Sequence, residues 1–448
     1  MSFSFYAPML AHKKTKLYFQ CLVLIPLAIS FWLTPLNVLA TESLLTLDNA
    51  QQLAVSHSRQ LVAQDMAVNA SREMAVVAGQ LPDPVLKAGI DNLPVSGSDR
   101  GSLTSDFMTM RRIGVMQELT ANDKRQLRSE RYDRMAEKSL AEKSSAIAAI
   151  QRDTAIAWLD RYYAERMAAV VTEQSIQAKL EIEAAESSYR AGRGNQTDIF
   201  AASSALSMVE DRRSEILRKV RSAKTMLSRW TGGDTKLPLA DEPSIEKIRL
   251  DLSVLDKSLT HHPQIAILTR QTEIAETDAR LAEANKKSDW TVEVAFQQRG
   301  SAYSNMISVG ISLPFQWDQK NRQDRELSSK LAIVEQAKAE RDETLRTHVA
   351  ETKTMIEEWQ SDLERCTRYE RELIPLAQKR LQATLGAYRG GKSSLADILA
   401  ARRNEIEVRL QALQLRADTA RLWAQLNFLF PVDAQATYPT QSMKKDMP

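Results

Sequence analysis

The sequence predicts a mainly α-helical, internally duplicated chain that carries a small membrane β-barrel component. Three observations predict it. Tyr189-Arg190-Ala191-Gly192, leading into Thr197-Asp198-Ile199, returns 199 positions later as Tyr388-Arg389-Gly390-Gly391, leading into Ala396-Asp397-Ile398. Each of these glycine turns interrupts a very long helical pattern and is followed at once by another. Each half also holds two strand-sized segments between its helices. The upstream parts match as well: Ala54 to Leu61 (AVSHSRQL) parallels Ser258 to Ile265 (SLTHHPQI), and Ile113-Gly114-Val115 parallels Val309-Gly310-Ile311. Such a repeat constrains architecture before any single motif does.

Residues 1–40 read as an export signal. His12, Lys13, Lys14 and Lys16 form a basic segment, Cys21 to Leu33 is a thirteen-residue apolar run, and Val38-Leu39-Ala40 offers a small-residue cleavage site. The run is short for a bilayer span, although an N-terminal anchor is the alternative. This segment holds three Lys and no acid, so of 60 Lys plus Arg 57 remain, against 57 Asp plus Glu. A balanced charge gives no footing for nucleic acid. Beyond the segment only Cys366 remains, so no internal disulfide is expected.

The elements follow in order. Residues 47–80 read as one helix, with Thr46-Leu47-Asp48 supplying the cap. Pro82-Asp83-Pro84 stops it, because two prolines remove amide donors and fix the backbone. Strands are expected at 85–92 and 109–119, then a helix over 123–189 of roughly 100 Å at 1.5 Å per residue. A helix over 198–230 and a linker at 231–244 complete the first repeat, 41–240, with its tip near 190–196. The second repeat, 241–430, reads as a helix over 246–287 with a break at Thr260 to Pro263, strands at 290–298 and 306–315, a helix over 322–388 and another over 394–429. Its tip falls near 389–394, Pro375 is expected to kink the longer helix, and 431–448 read as a flexible tail.

The second pair of strands is the clearer. Trp290, Val292, Val294 and Phe296 alternate with Thr291, Glu293, Ala295 and Gln297; Ile307, Val309, Ile311, Leu313 and Phe315 alternate with Ser308, Gly310, Ser312 and Pro314. That alternation suits a strand with lipid on one side and a wet lumen on the other, with Trp290, Phe315 and Trp317 at the membrane boundaries. It also suits an ordinary two-sheet core. Four strands cannot close a barrel, and open edges cannot sit in a bilayer. Either the strands are soluble, or several chains pool them, and three chains supply twelve. Alanines at 146, 148, 149, 155, 157, 164, 168 and 169 keep the first long helix slim enough for close neighbours. A long coiled-coil rod is the competing reading of the helices, which the intervening strands fit poorly.

Taken together, these features resemble the TolC-like outer-membrane efflux channel family over roughly residues 47–430. The resemblance implies a homotrimer in the outer membrane of a Gram-negative bacterium. Long periplasmic helical hairpins form its tunnel, and a twelve-stranded barrel in lipid takes four strands from each chain. It implies two protein partners, a periplasmic adaptor (membrane fusion) protein and an inner-membrane pump of the resistance-nodulation-division class. A narrower likeness, Ala78-Gly79-Gln80-Leu81-Pro82-Asp83-Pro84-Val85-Leu86 followed by Asn92-Leu93-Pro94, resembles the branch exporting heavy-metal cations. The same proline-aspartate corner has a purely local reason, ending a helix and opening an extended segment. Drugs or other small organic molecules are the alternative cargo. A periplasmic adaptor and a structural coiled-coil envelope protein are the alternative classes.

No catalytic motif occurs, and no cofactor is implied. His261 and His262 are adjacent, which in a helix points them to different faces, so core or capping roles are expected rather than metal binding. The functional surfaces are therefore expected to be geometric. Arg190, Gly192, Arg193 and Gly194 in one turn, and Arg389, Gly390, Gly391 and Lys392 in the other, are the candidate adaptor-docking tips, with ordinary solvated turns as the alternative. Asp198 and Asp397 are candidates for a periplasmic gate, since the resemblance places a carboxylate ring at the position of Asp397. Helix capping is the competing local explanation of both.

Overall fold

The computed structural model of the chain describes residues 44–233 and 237–432. The expected signal at 1–40 and the stretch 433–448 of the expected tail lie outside the described residues. The first half opens with helices α1 (Leu47–His57) and α2 (Arg59–Ala78), followed by strands β1 (Val85–Asp91) and β2 (Met110–Leu119). The long hairpin of α3 (Asn122–Arg190) and α4 (Gln196–Thr231) completes it. The second half repeats the order: α5 (Leu255–Leu259), α6 (Pro263–Ala284), β3 (Trp290–Gln298), β4 (Met306–Ser312), α7 (Gln323–Arg368), α8 (Ile374–Arg389) and α9 (Leu395–Asn427). A single π turn, Tyr369–Leu373, joins α7 to α8 just ahead of Pro375. Proline lacks the amide needed in a helix interior, and the wider turn places it in the first turn of α8.

The structure corrects three boundaries. Residues 47–80 form two helices rather than one, because Ser58 is extended (φ −69°, ψ 113°) and its hydroxyl accepts the Leu61 amide at 3.3 Å. Its repeat counterpart, His262, caps α6 in the same way, its Nδ1 accepting the Gln264 amide at 3.3 Å. Helix is also absent over 246–251; the chain there is irregular until a 3-10 turn at Leu252–Val254. The last strand stops at Ser312 instead of 315, since Pro314 has no amide for a ladder. Thr46 caps the first helix as expected, accepting the Asn49 amide at 3.1 Å.

The four strands form one antiparallel sheet in the order β1-β2-β3-β4. The two halves therefore meet through β2 and β3, with Val115 opposite Val294 and Ile113 opposite Phe296. The main core lies midway along α3, where Trp158, Leu159 and Tyr163 pack with Leu45, Ile245, Trp359 and Trp423. Ala146, Ala148, Ala155, Ala157 and Ala164 are buried on α3, whereas Ala169 is exposed. Small side chains let neighbouring helices approach along a helix with no room for a broad bulky stripe.

Candidate functional site: the hairpin tips and the sheet

The two tips are built alike, bond for bond. In the first, the Gly192 amide donates to Tyr189 O (2.9 Å) and the Arg193 amide to Ser188 O (3.0 Å). In the second, the Gly391 amide donates to Tyr388 O (2.9 Å) and the Lys392 amide to Ala387 O (2.8 Å). Gly192 and Gly391 take φ of 71° and 70°, the left-handed region that ends helices and favours glycine. Gly194 serves close approach instead: a Cβ there would lie 3.1 Å from the Ser188 Cβ. Gly390 sits at φ −84°, where any residue fits, as Ala191 shows at the same place in the first tip. Arg190, Arg193, Arg389 and Lys392 are all exposed. Ala185, Ala202, Leu395 and Ile398 pack together with Tyr388 at their flank, so both tips lie at one end of the chain.

Asp198 and Asp397 occupy the N3 positions of α4 and α9 and bond back to the residues that start them. The Asn195 amide donates to Asp198 Oδ2 at 3.1 Å, and the Ser394 amide to Asp397 Oδ2 at 2.9 Å. Asp397 receives two further bonds, from the hydroxyls of Ser394 (2.7 Å) and Ser393 (3.0 Å). In the first tip Gly194 stands where Ser393 does, so Asp198 lacks that donor. The Ser394 amide first, then the two hydroxyls, hold the Asp397 carboxyl below its ordinary range. Capping thus accounts for both aspartates locally; Asp397 nonetheless remains exposed at the tip.

Behind the tips, α3 and α9 are tied by a polar seam that the sequence did not signal. Arg402 pairs with Glu181 at 2.5 Å, the buried Gln174 amide donates to the buried Glu405 at 3.3 Å, and Arg409 reaches Glu173 at 3.2 Å. Burial pushes the Glu181 carboxyl up, and the Arg402 guanidinium opposes it without winning.

At the other end, the corner at Pro82-Asp83-Pro84 connects α2 to β1. Gln117 Nε2 donates to Pro82 O at 2.7 Å, and Arg125 donates to Gly79 O at 3.2 Å. These bonds serve the corner itself. The sheet has one continuous apolar face, on which Leu86, Ile113, Val115, Val294, Phe296, Ile307, Val309 and Ile311 are all exposed. Ile307 is 74 % exposed, and the boundary candidates Trp290, Phe315 and Trp317 are 52, 86 and 83 % exposed. Within the chain, β1 and β4 each pair on one side only. Among the described residues no helix is long and apolar enough to cross a membrane, and no group of three or more His, Cys, Asp or Glu is placed to hold a metal ion.

No family model matches the chain, and no curated protein does. Solved structures do. The outer-membrane channel OprN aligns with a TM-score of 0.73 at 16 % identity, over 86 % of this chain and 89 % of its own. The outer membrane protein VceC from Vibrio cholerae aligns at 0.69 and 18 %, over 86 % and 95 %. CusC, described in terms of folding and transmembrane channel formation, aligns at 0.72 and 15 %, over 85 % and 91 %. The chain therefore shares the fold of these outer-membrane proteins. At these identities the likeness speaks for the fold.

Proposed function

We propose that this chain is one of three subunits of an outer-membrane exit duct, a passive conduit rather than a catalyst. Three sheets would close a twelve-stranded barrel in lipid, and six hairpins would form the tunnel across the periplasm. The observation that carries this is the sheet: an exposed apolar face beside two unpartnered edges. Water does not favour so large an apolar patch, and lipid does not tolerate the open edges. Pooling strands between chains meets both demands. The basic tips would dock a periplasmic adaptor, which connects the duct to an inner-membrane resistance-nodulation-division pump.

For cargo we propose heavy-metal cations, supported by the resemblance at Ala78 to Leu86. Drugs or other small organic molecules are the second reading. The bonds from Gln117 and Arg125 account for the corner without reference to either cargo. The test has two stages. Purified protein should run as a heat-resistant trimer, fractionate with the outer membrane and conduct ions in planar bilayers; a soluble periplasmic monomer would refute the duct. A strain lacking the chain should then lose tolerance to metal cations before it loses tolerance to drugs, and the reverse order would assign the second cargo.

A further inference from the structure

The doubled glycines in Ile113-Gly114-Val115 and Val309-Gly310-Ile311 have no part in the tips or the apolar face. They lie on the opposite, polar face of the sheet, and each stands across from a charge. Gly114 is the register partner of Lys87, and Gly310 that of Glu293. The two halves thus place opposite charges at the same position of the repeat.

The charges meet. Lys87 Nζ lies 2.9 Å from Glu293 Oε2, although Lys87 is on β1 and Glu293 on β3. The side chain must cross β2, and it does so where β2 has no side chain. A Cβ at Gly114 would lie 2.7 Å from the Ala295 Cβ and 2.9 Å from Val294 O, so this position of β2 has no room for a side chain. Arg112 of β2 also pairs with Glu293, and lies 3.8 Å from Asp91. Gly310 leaves space on the far side, its added Cβ reaching no closer than 4.0 Å to the Glu293 Cβ. Glu293 is therefore an anion held between two cations, opposite Gly310 on β4 and Met116 on β2, with Gly114 two residues before Met116.

Resting on the duct reading above, we infer that Lys87, Arg112 and Glu293 set the charge selectivity of the barrel lumen. In a closed barrel whose apolar face meets lipid, the polar face lines the water-filled passage, and three chains repeat the group around it. Charges in such a passage are focused by its low-dielectric wall. Lys87, Arg112, Asp91 and Glu293 together balance, so removing one charge from each chain leaves an unbalanced ring of three.

The measurement is the reversal potential of purified channels in planar bilayers under a KCl gradient near 0.1 M, where screening extends only about 10 Å. Glu293→Gln should move the cation-to-anion permeability ratio toward anions by at least about twofold, and Lys87→Met should move it toward cations by a similar factor. Lys87→Gln combined with Glu293→Gln should return it near the parent value, and serves as the folding control because it leaves no isolated charge. Near 1 M salt, where screening falls to about 3 Å, the shifts should shrink. Conducting trimers whose reversal potential is unmoved in both single variants would overturn the inference. So would both singles moving in the same direction, which would report a loosened barrel. If the parent protein forms no conducting trimer, the duct reading itself fails, and the selectivity inference with it.

Discussion

Trp158 and Trp359 hold the same post in the two halves of the chain. The buried indole of Trp158 donates to Leu45 O at 3.0 Å, and that of Trp359 to Ile245 O at 3.1 Å. Each long helix is thereby fastened to the segment that opens its own half. The posts differ in one respect: Leu45 O also accepts the Ala240 amide at 3.2 Å. Replacing Trp158 with Phe should therefore cost about 1 kcal/mol beyond the packing lost with the smaller ring, since its carbonyl keeps a donor. Trp359→Phe should cost about 1–3 kcal/mol beyond the same packing loss. Denaturant unfolding in detergent checks the order of the two.

The tip glycines should divide by backbone angle. Gly192→Ala and Gly391→Ala place a side chain at positive φ and should each destabilise their turn by about 1–2 kcal/mol. An added Cβ meets nothing within 4 Å at either position, so the whole effect is conformational. Asn should be milder at both, because it tolerates that region. Gly390→Ala should be close to neutral. Hydrogen exchange at the tip amides distinguishes these outcomes.

Asp397 can be tested for gate and cap at once. If its carboxylates ring a constriction, Asp397→Ala should raise conductance and lower cation preference, and Asp397→Asn, which keeps an acceptor for the cap, should do the same. If the residue only caps, Asn should leave conductance unchanged while Ala frays the first turn of α9. The pH dependence has a definite sign. A carboxyl held below its usual value contributes stability above the unfolded-state value of about 4 and loses it as the pH falls through the lower folded value. Fraying of this tip should therefore begin only below about pH 4.

Arg402 and Glu181 should respond unequally. Removing the cation in Arg402→Met strands a poorly solvated carboxylate and should cost about 3–5 kcal/mol at neutral pH. Glu181→Gln leaves the Arg402 guanidinium without its anion but keeps an acceptor for it, and should cost less, about 1–2 kcal/mol, because burial already raises this carboxyl despite its partner. A raised carboxyl favours the folded state at low pH and loses that contribution as the pH climbs from the unfolded value to the folded one. Unfolding curves at two pH values on the two variants settle the asymmetry.

His262 should give the chain an acid-sensitive joint. Burial first, then the neighbouring His348 and Arg152, lowers its pKa to about 4. The folded state thus keeps the ring neutral, as its cap of α6 requires. Stability should decline as the pH drops below about 6.5, the unfolded value, and the loss should approach on the order of 3 kcal/mol by pH 4. His262→Asn, an acceptor that does not titrate, should flatten that decline.

How much was legible follows from the range of each signal. Caps, prolines, left-handed glycines and two-residue alternation act within a few positions. The sequence by itself therefore determined the duplication, both tips, the strands of the second half and the break before Pro263. It did not show the Ser58 break, because no proline marks that site, and the single helix expected over 47–80 was wrong there. Tertiary structure alone decided what pairs across a hundred residues or more. The Trp158 and Trp359 anchors, the Glu181–Arg402 seam and the reach of Lys87 over Gly114 to Glu293 are of this kind. A buried polar group must find a partner wherever packing brings one, and packing register is a property of the whole fold.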